Sequence, residues 1–312
     1  MSNKKRNLRL LGVLAILIVV SMVLGFSGSD GSSYNIDKRI FAVDPNTVIS
    51  DVVLKRQQDE LRFSYTDQQW VVNNKFLMDI RIRDTFFGIL SALEVRRPVA
   101  GNQRDSIAGW LAENGVGVEV SYVDEPVKSY TIGGDEERGV TYVMGDDREP
   151  YIARLPGFQN YIAGIFSVPE LDWKNRAVFN TDWLSMGGLT WDYVDEEKDD
   201  IEFVPGDPLF TIENLPNIDS TRAMNYLEEI VFLQVDRFIL SEEADQYRTA
   251  PYLMCTLNDR QLGDQTMVVY EPNEGQPLTL VEINGKEYGL MRWSRISGYF
   301  LEPADLTTPP SS

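Results

Sequence analysis

An apolar stretch without a charged side chain lies near the N-terminus of the chain. Residues 10–26 have the sequence LLGVLAILIVVSMVLGF. As a helix this run is about 26 Å long, which matches the hydrocarbon core of a bilayer. Lys4, Lys5, Arg6 and Arg9 precede it, and positive charge stays on the cytoplasmic side of a membrane. The pattern predicts a single-pass anchor with a cytoplasmic N-terminus and an exported body.

A cleaved secretion signal is the alternative interpretation of the same stretch. Such signals have an apolar core of roughly 7–15 residues and a cleavage site with small side chains. The run here is longer, and residues 25–29 (GFSGS) are a poor cleavage site. No Cys directly follows the run, so lipoprotein processing has no residue to modify. We favour the uncleaved anchor, and the body is exported under either interpretation.

Strand and helix patterns follow a Gly- and Ser-rich tether, and their order occurs twice. Three short β-branched or aromatic runs precede a long helix capped by Asp79. A shorter helix at residues 104–114, several strands and a final short helix at residues 158–166 complete the first occurrence. The second occurrence includes a predicted strand at residues 209–212 and a second helix at residues 241–248. In the second occurrence Asp219 takes the place of Asp79, and Ile230 aligns with Leu90. Matched caps and core positions favour a duplication.

We therefore predict an α+β protein, with an N-terminal transmembrane helix and a tandemly duplicated domain of mainly antiparallel sheets with covering helices. The predicted segments are a cytoplasmic basic segment (residues 1–9), the anchor (10–26), the tether (27–37), a first α+β repeat (38–170), a second α+β repeat (171–303) and a disordered tail (304–312).

Several segments of the body carry a resemblance to a known family: residues 129–134 (SYTIGG), 141–144 (TYVM), 150–158 (PYIARLPGF) and 173–179 (WKNRAVF). Together with the strand of Trp70 and the helix of Asp79, they resemble the bacterial domain-of-unknown-function family four-three-four-zero. The resemblance covers most of residues 40–300 and consists of spaced aromatic residues and glycines. It implies a single-pass exported protein, often encoded beside transporter subunits like those of the gliding-motility type of ABC export system. It implies an accessory role at an envelope complex and no active-site residues.

Charge and composition restrict the partners and the chemistry. The chain has 48 acidic and 29 basic residues, for a net charge of −19 at pH 7, so it repels phosphate backbones and we exclude nucleic acid as a partner. It contains no His, which removes the Ser-His-Asp triad and His-ligated metal sites. Its one Cys, Cys255, excludes an intrachain disulfide and is predicted to be a small buried residue of a strand.

Acidic and aromatic clusters offer little further chemistry. The runs at residues 145–149 and 195–200 lack the alternating spacing of a calcium loop and favour solvated hairpin tips. No glycine-rich phosphate loop is present. A platform for stacking on sugars is one interpretation of the tryptophans, but we expect most of them to pack in the core: Trp70, Trp110, Trp173, Trp183, Trp191 and Trp293. We predict no catalytic residue, cofactor or metal.

The adjacent Arg96 and Arg97 form the one compact basic spot that we identify in the exported body. They could contact the carboxylates of a partner. Alternatively, they are cations that complete the C-terminus of the first long helix, and the sequence favours this second interpretation.

Taken together, the sequence predicts a non-enzymatic accessory protein of the inner membrane, anchored in the lipid bilayer through residues 10–26. Its periplasmic or otherwise exported body would bind another envelope protein, such as an ABC-type transporter or a motility complex. The alternative is a glycan- or small-ligand-binding module, or a carboxylate-dependent glycan hydrolase, with its site between the two repeats.

Overall fold

Two antiparallel β-sheets follow one another along the chain in the computed structural model. The structure describes residues 37–123, 126–158, 160–195, 197–206, 210–212, 215, 218–300 and 306–307. The predicted anchor at residues 10–26 and most of the predicted tail lie outside these ranges. Within them, no helix combines the length and the apolar character needed to cross a membrane.

The first sheet has nine strands: β1 (Ile49–Lys55), β2 (Glu60–Thr66), β3 (Gln69–Val72), β4 (Phe76–Leu77), β5 (Glu94–Pro98), β6 (Val116–Tyr122), β7 (Lys128–Asp135), β8 (Val140–Met144) and β9 (Pro150–Arg154). Their spatial order is β4-β3-β2-β1-β6-β7-β8-β9-β5. Two helices belong to this unit, α1 (Ile80–Ala92) and α2 (Gly101–Asn114). We call this unit the first half.

The second sheet has eight strands: β10 (Met186–Tyr193), β11 (Ile201–Pro205), β12 (Phe210–Ile212), β13 (Arg237–Ile239), β14 (Pro251–Asp259), β15 (Gly263–Tyr270), β16 (Leu278–Ile283) and β17 (Glu287–Arg292). Their order is β12-β11-β10-β14-β15-β16-β17-β13. Three helices accompany them, α3 (Ser220–Val231), α4 (Ser241–Ala244) and α5 (Trp293–Ile296). We call this unit the second half.

The strand order is the same in the two sheets. Strands β1 to β3 occupy the positions of β10 to β12, and β6 to β9 occupy those of β14 to β17. The short strand after the long helix, β5 or β13, is added at the far edge in both sheets. Only β4 has no counterpart in the described part of the chain. The α+β architecture of mainly antiparallel sheets is therefore confirmed.

Both long helices begin at the predicted caps. The carboxylate of Asp79 accepts a hydrogen bond from the backbone N–H of Arg81 at 2.9 Å, and Asp219 does the same for Thr221 at 3.0 Å. Such bonds satisfy N–H groups that have no partner inside the helix. The apolar faces of α1 and α3 then lie on the sheets, with Leu90 and the other predicted inward residues buried or half-buried.

Each half has its own core, and the segment between them contributes to both. Trp173 is fully buried in the first half, where its ring lies 4.6 Å from that of Phe63 and 5.1 Å from that of Phe86. Five residues later, Val178 belongs to the core of the second half. Its backbone N–H donates to the carbonyl of Leu233. The chain thus passes from one core to the other between positions 173 and 178.

Lys174 lies at this crossing and contacts both halves. Its ammonium lies 3.9 Å from the centre of the Phe238 ring in β13 and 5.8 Å from that of Phe76 in β4. It also forms an ion pair with Glu287 of β17. The Lys174 side chain is only 11% exposed. A nearly buried cation therefore connects the edge of the first sheet to the edge of the second.

Two predicted helices are shorter in the structure. The helix expected over residues 158–166 is a 3₁₀ segment, Ala163–Ser167, because residues 155–158 form a turn around Gly157, whose φ is +74°. The second helix expected over residues 241–248 ends at Ala244. Beyond it the backbone makes 3₁₀-type bonds before Pro251 opens β14. Strands β4, β5 and β13 were not predicted, because their sequences are short and lack an alternating pattern.

Candidate partner-binding surface

Arg96 and Arg97 lie in the edge strand β5, which pairs with β9. Helix α1 ends at Ala92 and has no basic residue in its last turn. The interpretation of the two arginines as cations that complete this helix is therefore wrong. Leu93 is buried and has an extended backbone, so the chain leaves the helix at this residue, before it reaches the two arginines.

A β-bulge exposes both arginines. The pairing with β9 shifts register between Val95 and Arg97, so Arg96 is an extra residue in the edge strand. Strict alternation would place Arg97 on the buried face together with Val95. In the structure Val95 is buried and both arginines are exposed. Neither guanidinium makes a hydrogen bond or an ion pair with any described residue.

Residues 37–46, which we call the strap, connect the predicted tether to this edge. The carbonyl of Lys38 accepts a hydrogen bond from the N–H of Val95 at 2.7 Å. The guanidinium of Arg39 donates to the carbonyl of Ser91 at 3.0 Å, near the end of α1. The strap therefore places two more exposed basic residues beside the bulge. We call the four of them the basic edge: Lys38, Arg39, Arg96 and Arg97.

The strap is held in the first half by its apolar residues. Phe41 and Val43 are buried, and the ring of Phe41 lies 5.6 Å from the ring of Tyr130. Lys128 donates a hydrogen bond to the carbonyl of Ala42. The hydroxyl of Tyr130 is buried without a hydrogen-bond partner among the described residues. Burial raises the pKa of Tyr130 far above its ordinary value.

A groove of about 780 Å³ runs between the strap and the turn that joins β6 to β7. Three valines near this turn are each more than half exposed, and we call them the valine rim: Val48, Val123 and Val127. The N–H of Val123 donates to the carbonyl of Val48, so these two residues are adjacent. Exposed apolar side chains grouped beside a groove are typical of a protein-binding surface.

Two further grooves, of about 550 and 410 Å³, also have defined linings. The larger contains Arg56, whose guanidinium is held by Asp59 at 2.5 and 2.6 Å and by the carbonyl of Val168. The smaller lies in the second half near Asn284. Each of the three grooves belongs to a single half, so none of them forms the predicted site between the repeats.

Among the described residues, the two buried carboxylates, Asp79 and Asp259, are both engaged as caps. Burial opposes ionisation of Asp79, but hydrogen bonds from Arg81 outweigh it and lower the pKa of Asp79. The backbone N–H of Leu262 and the hydroxyl of Thr181 lower the pKa of Asp259 to about 2. Neither group can act as a general acid near neutral pH.

One carboxylate has the opposite shift. Burial and then the nearby Asp200 raise the pKa of Asp192 in β10. Asp192 lines none of the three grooves. Within the described ranges, no group of three or more His, Cys, Asp or Glu side chains is arranged to hold a metal ion.

The acidic runs, the tryptophans and the cysteine lie largely where the sequence suggests. Residues 145–149 join β8 to β9, and the run at 195–200 joins β10 to β11. Trp173 and Trp191 are buried, whereas Trp110 is 39% exposed on α2. Cys255 is buried in β14, and burial raises the pKa of its thiol. None of these groups forms a site with the basic edge.

Half of the basic edge, Arg96 and Arg97, was predicted from the sequence, whereas none of the valine rim was. The sequence contains a signal for Lys38 and Arg39, because these two basic residues directly follow the Gly- and Ser-rich tether. The remaining signal is a proline near an exposed valine, since Pro126 directly precedes Val127 and Pro45 lies three residues before Val48. Neither signal shows that the two segments meet in space.

Comparison of the chain with protein-family models, with curated proteins and with solved structures finds no match. The resemblance to family four-three-four-zero stays a prediction.

Proposed function

We propose that this protein is a membrane-anchored, exported and non-enzymatic accessory protein that binds another envelope protein. The anchor is the apolar run at residues 10–26. The partner would be an integral component of an envelope complex, such as an ABC-type transporter. The family resemblance supports the same class of partner.

One observation carries the proposal: the valine rim and its groove lie beside the strap, where the tether joins the body. In an anchored protein this is the end of the body nearest to the bilayer. Val48, Val123 and Val127 are each more than half exposed there. A membrane-embedded partner could cover this surface by burying the valines in an apolar contact.

The hydrolase alternative has less support. Retaining and inverting glycosidases need a general acid with a raised pKa opposite a second carboxylate. The buried carboxylates Asp79 and Asp259 have lowered pKa values and cap backbone N–H groups. Asp192, whose pKa is raised, lies outside the described grooves.

We further propose that the body arose by tandem duplication. Eight strands have the same order in both sheets, and each long helix begins at an Asp cap in the same place in that order. A duplication explains why β5 and β13 are both added at the far edge after their helix. Superposition of the two halves tests this: equivalent strands and caps should coincide, and a failure to align would contradict it.

Crosslinking in cells tests the partner surface. A photoreactive amino acid would replace Val123 in the valine rim or, as the control, the similarly exposed Val194 at the acidic hairpin tip of the second half. We expect an adduct with an integral membrane protein from position 123 alone, and we expect Val127→Asp to remove it. Equal adducts from both positions, or none from position 123, would contradict the proposal.

Fractionation tests the anchor separately. The full-length chain should stay with the membrane after an alkaline wash, and an externally added protease should reach the body in spheroplasts. Recovery of the body in the cytosol would rule out the proposed topology whatever the crosslinking shows.

A further inference from the structure

The basic edge is unusual because the surrounding protein is strongly acidic. Lys38, Arg39, Arg96 and Arg97 are all exposed in a chain with a net charge of −19. The ammonium of Lys38, like the guanidinium groups of both β5 arginines, makes no ion pair or hydrogen bond with a described residue. The charges of Lys38, Arg96 and Arg97 therefore contribute no ion pair or hydrogen bond to the described fold.

The nearby described carboxylates Glu94, Asp44 and Asp37 are all engaged within the fold, and Asp44 and Asp37 interact in part with Arg39 itself. Glu94 pairs with Arg154 at 3.4 Å. Asp44 accepts hydrogen bonds from Asn46, which lower the pKa of Asp44. Asp37 accepts from the backbone N–H of Arg39. The bulge in β5 increases the exposed positive charge, because it exposes Arg97, which strict alternation would bury.

The position of the basic edge limits its distance from the anchor. Residues 27–36 lie between the apolar run and the strap. Even fully extended, this segment spans at most about 35 Å. The basic edge begins at Lys38, so in an anchored protein it can reach the bilayer surface. Electrostatic attraction to a charged membrane acts within about 8 Å at physiological ionic strength, which this tether allows.

We propose that the basic edge binds anionic phospholipid headgroups beside the chain's own anchor and so fixes the orientation of the body on the bilayer. This inference rests on the proposed anchoring. Four cations face the anionic surface, while the acidic remainder of the body is repelled from it. The strap contributes to both the basic edge and the groove, so this orientation brings the valine rim close to the membrane.

Energy transfer in reconstituted bilayers tests the orientation. A fluorophore on Ile40→Cys would report from the strap, and one on Met254→Cys would report from the second sheet; both positions are exposed and Cys255 is buried. The full-length chain would be inserted into phosphatidylcholine bilayers, with or without phosphatidylglycerol, that carry a headgroup acceptor. We expect phosphatidylglycerol to increase transfer from the strap probe only, and high salt to reverse the increase.

Charge reversal provides the matched comparison. Arg96→Glu with Arg97→Glu should abolish the increase, whereas Arg260→Glu with Lys286→Glu should leave it intact. The control pair makes the same charge change at exposed cations of the second half that have no ion pair in the structure. Circular dichroism of both double variants verifies that they fold.

The outcomes separate the two proposals. If phosphatidylglycerol does not increase the energy transfer from the strap probe, the lipid-binding inference is overturned. The same holds if the increase remains after charge reversal at Arg96 and Arg97. Neither result contradicts the proposed anchor. If phosphatidylglycerol leaves transfer unchanged while added polyglutamate raises the fluorescence anisotropy of the strap probe, the basic edge binds an acidic protein segment and the inference is overturned. A chain that does not float with the bilayers overturns the anchoring and this inference together.

Discussion

Single carboxylates determine where several backbone segments begin and turn. Asp79 and Asp219 start the long helices, and Asp259 closes the turn between β14 and β15 by accepting from the N–H groups of Gln261 and Leu262 at 2.8 Å. The helix caps are visible in the sequence, since Asp precedes an apolar pattern with helical spacing. The role of Asp259 is not visible, because it also depends on Thr181, which is distant in the chain.

Asp259 should make stability depend on pH in the acid range. Its pKa is about 2 in the folded protein against an ordinary value of 3.8, so its contribution is present above about pH 4. The contribution is lost as the pH falls through about 2. Asp259→Asn should therefore be less stable than the parent at neutral pH, and the difference should shrink between pH 4 and pH 2. Urea denaturation across this range measures it.

The control for Asp259→Asn is Asp264→Asn. Asp264 is an exposed carboxylate of β15 whose oxygen accepts from the side chain of Asn258. Its substitution should change stability little at any pH. Equal pH profiles for the two variants would show that the capping bonds of Asp259 do not contribute as described.

At the scale of elements, the long helices, the alternating strands and the edge strand β12 were predictable, whereas the edge strands β4, β5 and β13 were not. Strands β6, β8 and β16 occur as expected, because β-branched and aromatic residues alternate or cluster in them. Strand β5 contains Arg96, Arg97 and Pro98, residues that discourage strand prediction. The same residues protect an exposed edge from further pairing. Edge strands with the composition of β5 therefore resist prediction, because they are built unlike central ones.

Glycines in different elements should respond in opposite ways to alanine. A Cβ on Gly134 in β7 would lie 2.1 Å from the carbonyl oxygen of Val140, so Gly134→Ala should destabilise the protein by about 1–3 kcal/mol. Gly109 lies in α2 with nothing within 4 Å of a new Cβ. Gly109→Ala should stabilise by about 0.5–1 kcal/mol through helix propensity. Chemical denaturation of both variants measures the difference, and the same sign for both would contradict the packing described for β7 and β8.

For the whole molecule, the site was less predictable than the fold. The repeated order of elements can be recognised along the chain, because it depends on local patterns. The basic edge requires the strap to return to β5, a contact between Lys38 and Val95 that no local pattern encodes. The valine rim likewise depends on Val48 meeting Val123. Long-range contacts of this kind become visible only in three dimensions.

The connection between the halves should depend on Lys174. Lys174→Met keeps the apolar stem but removes the charge over Phe238 and the ion pair with Glu287. We expect a loss of about 1–2 kcal/mol, typical of a desolvated cation–π contact. We also expect the two halves to unfold less cooperatively in calorimetry.

Glu287→Gln is the matched control for Lys174→Met. It removes the same ion pair at Glu287, the more exposed partner, and should lower the free energy of unfolding by at most about 1 kcal/mol. An equally large loss in both variants would mean that the ion pair, and not the aromatic contact, carries the connection.

The burial of Phe41 beside Tyr130 has a mechanical consequence. A pull on the tether reaches the body through the strap, and lifting the strap withdraws Phe41 from its place against the phenol. Part of the burial that raises the pKa of Tyr130 would then be lost, so this pKa would fall toward that of an ordinary tyrosine. Tension in the tether would thus be detectable as an increase in the ultraviolet absorbance of the Tyr130 phenolate at alkaline pH.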